Sequence, residues 1–588
     1  MLAFPFSELR EGQQKIIDAV RSSISKREKL MIQAPTGMGK TAPVLYGALS
    51  AAKEQGLRIV FLTAKHTHQN IVYETLRKIN NASLEKITFT GVNGKRSMCL
   101  FENNVEPSLF IEFCRAVREQ NLCDFYKNTF SKSKDVKPNA IEALGEELSD
   151  PDSMMEAGSK FEVCPYELSL LNAKRSDVIV ANYFHIFDLD TSKSFISKTG
   201  LDPKNTIIIV DEAHNLHNRI IDMNSFSISL RTLERAYNEA IVANENDLAA
   251  KIDSVIASTR KTEQEEKLDL SRIFKGSDLD TAASITKQNE KGYNIPASFT
   301  LEKFISFLLK ADDSYVQYAS NENGHVKVNV FSLDPSVYAG STMASFASTI
   351  LISGTLKPME MFSNLLGIPD ANKLVIEEKN LEANRLVINE IDLTSKFLSR
   401  GLQFGLIAAR IDDLLESFKH NMIIFFPSYS FMESVFGFVQ NKDRVIKEAP
   451  RIEREEKQRI ISEVTKPGKC LFAVIGGNFA ESIGIRNNII RLIAIVGVPY
   501  EPPSIRLKAL QNYYQNKFSN GFEYAQVLPS MIKTMQAAGR GIRSSKDRAV
   551  VLLIDSRFES AVFRKYLPSG VKTVNGSPMK LIGESGFN

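Results

Sequence analysis

The sequence predicts an α/β protein built from two parallel-sheet domains, the first interrupted by two insertions. Three observations carry this. Short β-branched runs ending in small or polar residues recur along the chain, as strands buried on both faces of a parallel sheet should. They are Leu30–Ile32, Arg58–Thr63, Asp177–Ala181, Thr206–Val210 and Thr349–Ser353, then Met422–Phe426, Cys470–Ile475, Leu492–Val496 and Ala549–Asp555. Amphipathic segments long enough for crossover helices lie between many of them, and the two series separate near residue 370. Finally, 588 residues are too many for one core and suit three or four domains.

Two stretches depart from the alternation. Residues 90–168 hold four of the five cysteines and a polar, loop-like middle; residues 217–335 are rich in Glu, Lys, Asn and Ser, with helical periodicity and little strand signal. Strand-end motifs resume after each, so both read as insertions into the first domain. Hydrophobic content of 43% and charged content of 24% are those of an ordinary globular protein, and a net charge of +4 permits a polyanionic partner without arguing for one. The opening MLAFPFSELREGQQ is broken by charge too early for a signal peptide, no run approaches the ~18 apolar residues of a membrane span, and the C-terminus shows no prenylation box. A cytoplasmic protein is expected.

The first strand runs into Ala34-Pro35-Thr36-Gly37-Met38-Gly39-Lys40-Thr41, a P-loop with alanine in place of its first glycine. Glycines let backbone N–H groups turn inward around phosphates, Lys40 supplies a cation to the β/γ oxygens, and the Thr41 hydroxyl can ligate Mg²⁺. A chance glycine-rich turn is the competing reading. Strand Thr206–Val210 ends in Asp211-Glu212-Ala213-His214, where Asp211 suits Mg²⁺ and Glu212 suits the attacking water of a phosphoryl transfer. His214 and His217 lie three apart, but no third ligand for a metal is near. Gln536-Ala537-Ala538-Gly539-Arg540-Gly541-Ile542-Arg543 puts two arginines at helical spacing, either a solvated basic face or arginine fingers for a γ-phosphate.

Cys99, Cys114, Cys123 and Cys164 are separated by 14, 8 and 40 residues, while Cys470 sits alone in an apolar run. Four thiolates match an iron–sulfur cluster; a zinc site, which ordinarily uses CxxC pairs, and unliganded thiols remain as alternatives. Disulfides do not suit a reducing compartment. Cys164 is followed by Pro165, a neighbour of the last cluster cysteine in ferredoxins. Lys95 and Arg96 could hold successive phosphates or be ordinary surface charges; Tyr166, Tyr183 and Phe184 could stack on bases, though aromatics beside strands are more often core.

In the order of these motifs the chain resembles superfamily 2 helicases, specifically the xeroderma pigmentosum group D (XPD) family, nearly from end to end and at archaeal length. The resemblance includes Arg10 and Gln13 in a Q-like motif, Thr63-Ala64-Lys65, the DEAH tetrad, Ser353-Gly354-Thr355, Phe425-Phe426-Pro427-Ser428 (motif IV), Gly476-Gly477-Asn478-Phe479-Ala480-Glu481 (motif V) and the QxxGRxxR run. One departure stands out: motif V continues Glu481-Ser482-Ile483-Gly484, without the family's acidic last residue.

The resemblance implies two RecA-like motor domains: 1–89, 169–216 and 336–370 forming the first, 371–588 the second. An iron–sulfur domain over 90–168 and a helical arch over 217–335 are inserted in the first. It implies adenine contacts from Arg10 and Gln13, and an ATP and Mg²⁺ site of Ala34, Pro35, Thr36, Gly37, Met38, Gly39, Lys40, Thr41, Asp211, Glu212, Gln536, Arg540 and Arg543. It implies a [4Fe–4S] cluster on the four cysteines, with Cys164-Pro165-Tyr166 at the family's last ligand, and DNA contacts from Lys95 and Arg96. The expected function is 5′→3′ movement on single-stranded DNA and unwinding of fork duplex in DNA repair such as nucleotide excision repair, by a monomer with possible repair-protein partners. The rivals are an ATP-gated clamp or damage sensor, an RNA helicase, and a nuclease, for which no convincing acidic-lysine motif is found.

Overall fold

A computed structural model of the chain describes residues 2–35, 37–64, 66–101, 105, 109–289, 295–377, 384–480, 489–541, 547–568 and 570–587. Thr36, Lys65, Glu481 to Gly484, Ile542 and Arg543 lie outside the described residues.

In chain order the strands of the first half are β1 (Lys29–Gln33), β2 (Arg58–Thr63), β3 (Phe89–Val92), β4 (Val178–Asn182) and β5 (Thr206–Asp211). The second insertion adds β6 (Phe226–Ser229), β7 (Glu265–Lys267), β8 (Tyr315–Glu322) and β9 (His325–Ser332), before β10 (Ser348–Ser353) and β11 (Asn372–Val375) return to the first domain. The second domain holds β12 (Arg385–Glu390), β13 (Asn421–Phe426), β14 (Val445–Lys447), β15 (Cys470–Val474), β16 (Ile490–Val496), β17 (Ala549–Ile554) and β18 (Lys572–Val574). Two parallel seven-stranded sheets result, in the orders β11-β1-β10-β5-β2-β4-β3 and β14-β15-β13-β16-β17-β12-β18.

The expected runs became strands because both faces of each sheet are covered by helices. On the first sheet Met31, Val60, Leu62, Ile208 and Val210 face one core, while Leu30, Ile32, Ile59, Phe61, Ile207 and Ile209 face another. Successive residues point to opposite faces of a strand, so two covered faces demand an unbroken apolar run.

The order of this sheet places the site. β10 lies between β1 and β5, with Gln33 opposite Ser353 and Ile352 opposite Asp211. The P-loop, Ser353 and the DEAH carboxylates therefore leave neighbouring strand ends on one rim, where open parallel sheets bind ligands.

The cysteine-bearing insertion folds as short helices: Phe110–Glu119, Asp124–Thr129, Pro138–Ala143 and Pro151–Lys160. Helix Pro165–Ala173 then packs against β3. The second insertion is helical, as expected, but it also carries an antiparallel sheet, β6-β9-β8-β7, that the sequence reading did not anticipate. Its central hairpin turns at Asn323 (φ 54°) and Gly324 (φ 86°), the paired positive angles for which Asn-Gly is the favoured sequence.

Candidate active site and cysteine cavity

β1 passes through Ala34 and Pro35 into a loop in which Gly37 (φ 91°) and Gly39 (φ 78°) take left-handed angles, before helix Thr41–Gln55 begins behind Lys40. Arg10 and Gln13 brace this loop. Arg10 Nη1 donates to the Gly37 carbonyl at 2.9 Å, Gln13 Nε2 donates to the Met38 carbonyl at 3.0 Å and the Gly39 carbonyl at 3.2 Å, and Arg10 N donates to Gln13 Oε1 at 2.9 Å. These bonds tie the carbonyls of Gly37, Met38 and Gly39 to the Q-like segment, and inward-turned N–H groups are what such a loop offers a phosphate.

Asp211 and Glu212 sit at the end of β5, and Glu212 holds a left-handed backbone (φ 50°), an uncommon conformation for a residue with a side chain. The buried Tyr183 hydroxyl stabilises the turn by donating to the carbonyls of both Asp211 and Glu212, the latter at 3.1 Å. Tyr183 is thus a support of the carboxylate turn and not an exposed stacking surface; the signal available in sequence was only its place just beyond β4. Tyr166 is buried as well, whereas Phe184 is exposed.

Burial, with the Glu212 charge beside it, pushes the Asp211 carboxyl above the usual carboxylate range, and Lys40 opposes the shift. Burial also opposes the charge on Glu212, but Lys40, His214 and His68 hold its pKa below the ordinary value. The two neighbours are thereby driven apart, Asp211 towards holding a proton and Glu212 towards staying ionised. A divalent cation against Asp211 would reverse that residue's shift.

A line of polar contacts runs from this turn into the second domain. Ser353 Oγ lies 3.4 Å from Glu212 Oε2 and 2.7 Å from His214 Nδ1, and accepts the Thr355 N–H at 3.0 Å. His214 Nε2 meets the side-chain amide of Gln536, on helix Leu528–Ala538, at 2.6 Å. The two arginines of the QxxGRxxR run were expected on one helical face. Instead the helix closes at Ala538, Gly539 caps it, and Arg540 sits in the tight turn Gly539–Gly541. Two glycines within three residues cost roughly 1 kcal/mol each in a helix and favour that ending. Between the domains, Gln33, Pro35, Gly354 and Thr355 face Met531, Met535, Gly539 and Tyr566 across a cavity of about 420 Å³.

Cys99, Cys114, Cys123 and Cys164 all line a second cavity, together with Lys95, Arg118, Tyr126 and Tyr166. None of the four is in a disulfide. Among the described residues, no group of three His, Cys, Asp or Glu side chains closes on a single ion. Burial raises the thiols of Cys99, Cys123 and Cys164 above their ordinary value, the last to about 12. The Arg118 charge tempers this at Cys123. The Lys95 ammonium stands 5.4 Å from the centre of the Tyr166 ring, and the Arg118 guanidinium lies 4.2 Å from that of Tyr126. Lys95 is thus half-buried at the cavity wall, while Arg96 is exposed. His214 and His217 are both buried, the first on Ser353 and Gln536, the second against the Phe362 ring and beside the His214 backbone.

Family models match much of this framework: a DEAD/DEAH box helicase model over residues 10–112, the DEAD_2 model over 62–233, and a helicase C-terminal domain model over 411–574. The chain is 26% identical over 592 residues to the ATP-dependent DNA helicase XPD of Sulfolobus acidocaldarius, covering 98% of this chain and 100% of that protein. It is 24% identical to the ATP-dependent DNA helicase CHL1 of Kluyveromyces lactis, over 81% of this chain and 66% of the relative. Among solved structures, an XPD helicase superposes with a TM-score of 0.71 at 24% identity, covering 97% of this chain and 100% of that chain. The Xpd4 structure from S. tokodaii superposes with a TM-score of 0.64 at 17% identity, over 96% and 100% of the two chains. With the P-loop, DEAH turn and QxxGR segment assembled on paired parallel sheets, the chain carries DEAD/DEAH-box helicase and helicase C-terminal domains and is similar from end to end to the XPD helicases.

Proposed function

We propose that the protein is an ATP-dependent DNA helicase that moves 5′→3′ on a single strand and unwinds the duplex ahead of it, in DNA repair such as nucleotide excision repair. The observation that carries this reading is the line Glu212–Ser353–His214–Gln536, which joins the catalytic strand ends of one domain to a helix of the other. Direction and pathway follow from the family resemblance.

In this reading the P-loop N–H groups and Lys40 hold the β- and γ-phosphates, Thr41 and Asp211 ligate Mg²⁺, and Glu212 orients a water and accepts its proton. When bound, Mg²⁺ neutralises charge developing on the transferred phosphoryl group. Arg540 and Arg543 close on the γ-phosphate from the second domain. A γ-phosphate is thereby sensed by both domains, and its loss relaxes the contact through Ser353, His214 and Gln536. Repeated closing and opening moves the two domains along the strand.

Cys99, Cys114, Cys123 and Cys164 hold a [4Fe–4S] cluster in the same reading. Four thiols around one cavity, none of them in a disulfide, are the donor set that such a cluster would take. When bound, the cluster would cross-link the separate segments that carry Cys99, Cys114, Cys123 and Cys164. Lys95 and Arg96, just before Cys99, present charge to the DNA backbone.

The test is ATP hydrolysis with and without single-stranded DNA. Wild type is stimulated by DNA, and Lys40→Ala or Glu212→Gln abolishes turnover while circular dichroism stays native. Wild-type turnover in either variant contradicts the assignment.

A further inference from the structure

Glu448 follows the edge strand β14 and is 2% exposed, although it belongs to none of the family motifs recognised in the sequence. It lies at the heart of motif V. Its carboxyl group accepts the Val474 N–H at 2.9 Å, the Asn478 N–H, and the Tyr429 hydroxyl at 3.1 Å. Val474 ends β15, Asn478 lies in the turn that follows, and Tyr429 opens the helix behind motif IV. β13 and β15 are neighbours, with Phe426 opposite Val474, so motifs IV and V leave the sheet side by side. One carboxyl group therefore ties together both segments at this rim of the second domain.

The surrounding contacts leave the turn one shape. Gly476 takes a positive φ of 83°, and Gly477 N donates back to the Val474 carbonyl at 2.9 Å. A Cβ on Gly477 would stand 2.6 Å from Glu448 Oε1 and 2.9 Å from Oε2, so glycine is required there because the carboxyl group occupies the space. From the other side, Lys457 Nζ donates to the Asn478 carbonyl at 2.7 Å, and Asn478 Nδ2 donates to the Ala449 carbonyl at 3.2 Å. Both polar groups of the Asn478 backbone and its side chain are held by residues outside the turn. Such outside support is what keeps a binding loop within a fraction of an ångström of its working geometry.

We propose that Glu448 is a positioning residue of the DNA grip: it fixes the motif V turn from Ile475 to Asn478 in the shape that the second domain presents to the strand. The role rests on the DNA helicase reading. The Glu448 carboxyl group acts on this motif from another element.

Glu448→Gln keeps size and shape but turns an NH₂ group towards donors, so at least one of the two turn N–H bonds is lost. The expected result is about a tenfold rise in the single-stranded DNA concentration that half-stimulates the ATPase, with the rate at saturating DNA falling by less than about twofold. Amide exchange at Val474 and Asn478 should accelerate while exchange in the rest of β15 keeps its wild-type rate. Gly477→Ala, which presses a methyl group onto the same carboxyl group, should reproduce the shift and serves if Glu448→Gln does not fold. A wild-type half-stimulation point in the folded variants, or a loss of saturating rate with that point unmoved, overturns the role. A wild-type protein whose ATPase ignores DNA overturns the helicase reading itself, and this role with it.

Discussion

The contact between His214 and Gln536 can be broken from either side, and the two breaks should not add. His214 is 2% exposed, with Ser353 on one ring nitrogen and Gln536 on the other at 2.6 Å. Gln536→Ala removes the cross-domain partner and leaves a buried ring nitrogen to be satisfied otherwise, at a cost of about 1–3 kcal/mol. If that loss falls on the closed, hydrolysing state, kcat drops about tenfold for each 1.4 kcal/mol while the open state still binds ATP. Gln536→Ala and His214→Ala are therefore each expected to lower DNA-stimulated kcat about tenfold with little change in KM for ATP, and the double variant to lose little more than either single. The assay is steady-state ATP hydrolysis at saturating DNA for all four proteins of the cycle, giving a coupling energy of about 1–2 kcal/mol. Losses that multiply to about a hundredfold in the double variant would refute the idea that the pair acts as one link.

Other consequences follow from the same structure. Gln13→Ala removes donors to the Met38 and Gly39 carbonyls and should raise KM for ATP about tenfold, as measured by ATP-dependence of turnover. Serine at any one of Cys99, Cys114, Cys123 or Cys164 should remove the brown colour and bound iron and cost unwinding more than DNA-free ATPase; unwinding that survives complete iron loss contradicts a wedge role for the insertion. Burial lowers the His185 pKa from its ordinary 6.5 to about 4. Between these values the unfolded chain binds the proton and the native one does not, so His185 supplies stability that is full above pH 6.5 and is lost as pH falls towards 4. From pH 6.5 to 5 the loss is about 2 kcal/mol, and the urea-unfolding free energy of His185→Gln should fall less steeply over that interval by the same amount. An unchanged slope would show that His185 does not titrate on unfolding.

Nine strands were readable because burial on two faces writes itself as an unbroken apolar run. Those that escaped lack such a run for physical reasons. β11 is mostly exposed, while β14 and β18 are three residues each. β12 ends in buried Asn389 and Glu390, whose polarity hides the strand and is met in part by distant residues: Glu559 at 3.0 Å from Asn389, and Arg410 at 3.1 Å from Glu390. The β8–β9 hairpin was legible in principle through its Asn323-Gly324 turn and alternating flanks, but the abundance of Glu, Lys and Asn around it favoured a helical reading.

At the site, contiguous motifs such as the P-loop and DEAH turn announce themselves because neighbouring residues share one task. The bracing by Arg10 and Gln13, the Tyr183 support and the Glu448 clamp join segments between 19 and 30 residues apart, and nothing in local spacing records them. The Ser353–His214 and His214–Gln536 contacts span 139 and 322 residues. The end of the second-domain helix at Ala538 was readable from Gly539 and Gly541, yet the repeated arginine spacing suggested a continuous helix.

The most direct test of an ATP-driven DNA helicase is strand separation on two duplexes, one with a 5′ and one with a 3′ single-stranded tail, using wild type and Lys40→Ala. Separation of the 5′-tailed duplex alone, dependent on ATP and on Lys40, is the predicted result. Release of neither strand by a protein with its cluster intact and its ATPase stimulated by DNA would contradict it, and would identify an ATP-gated clamp in its place.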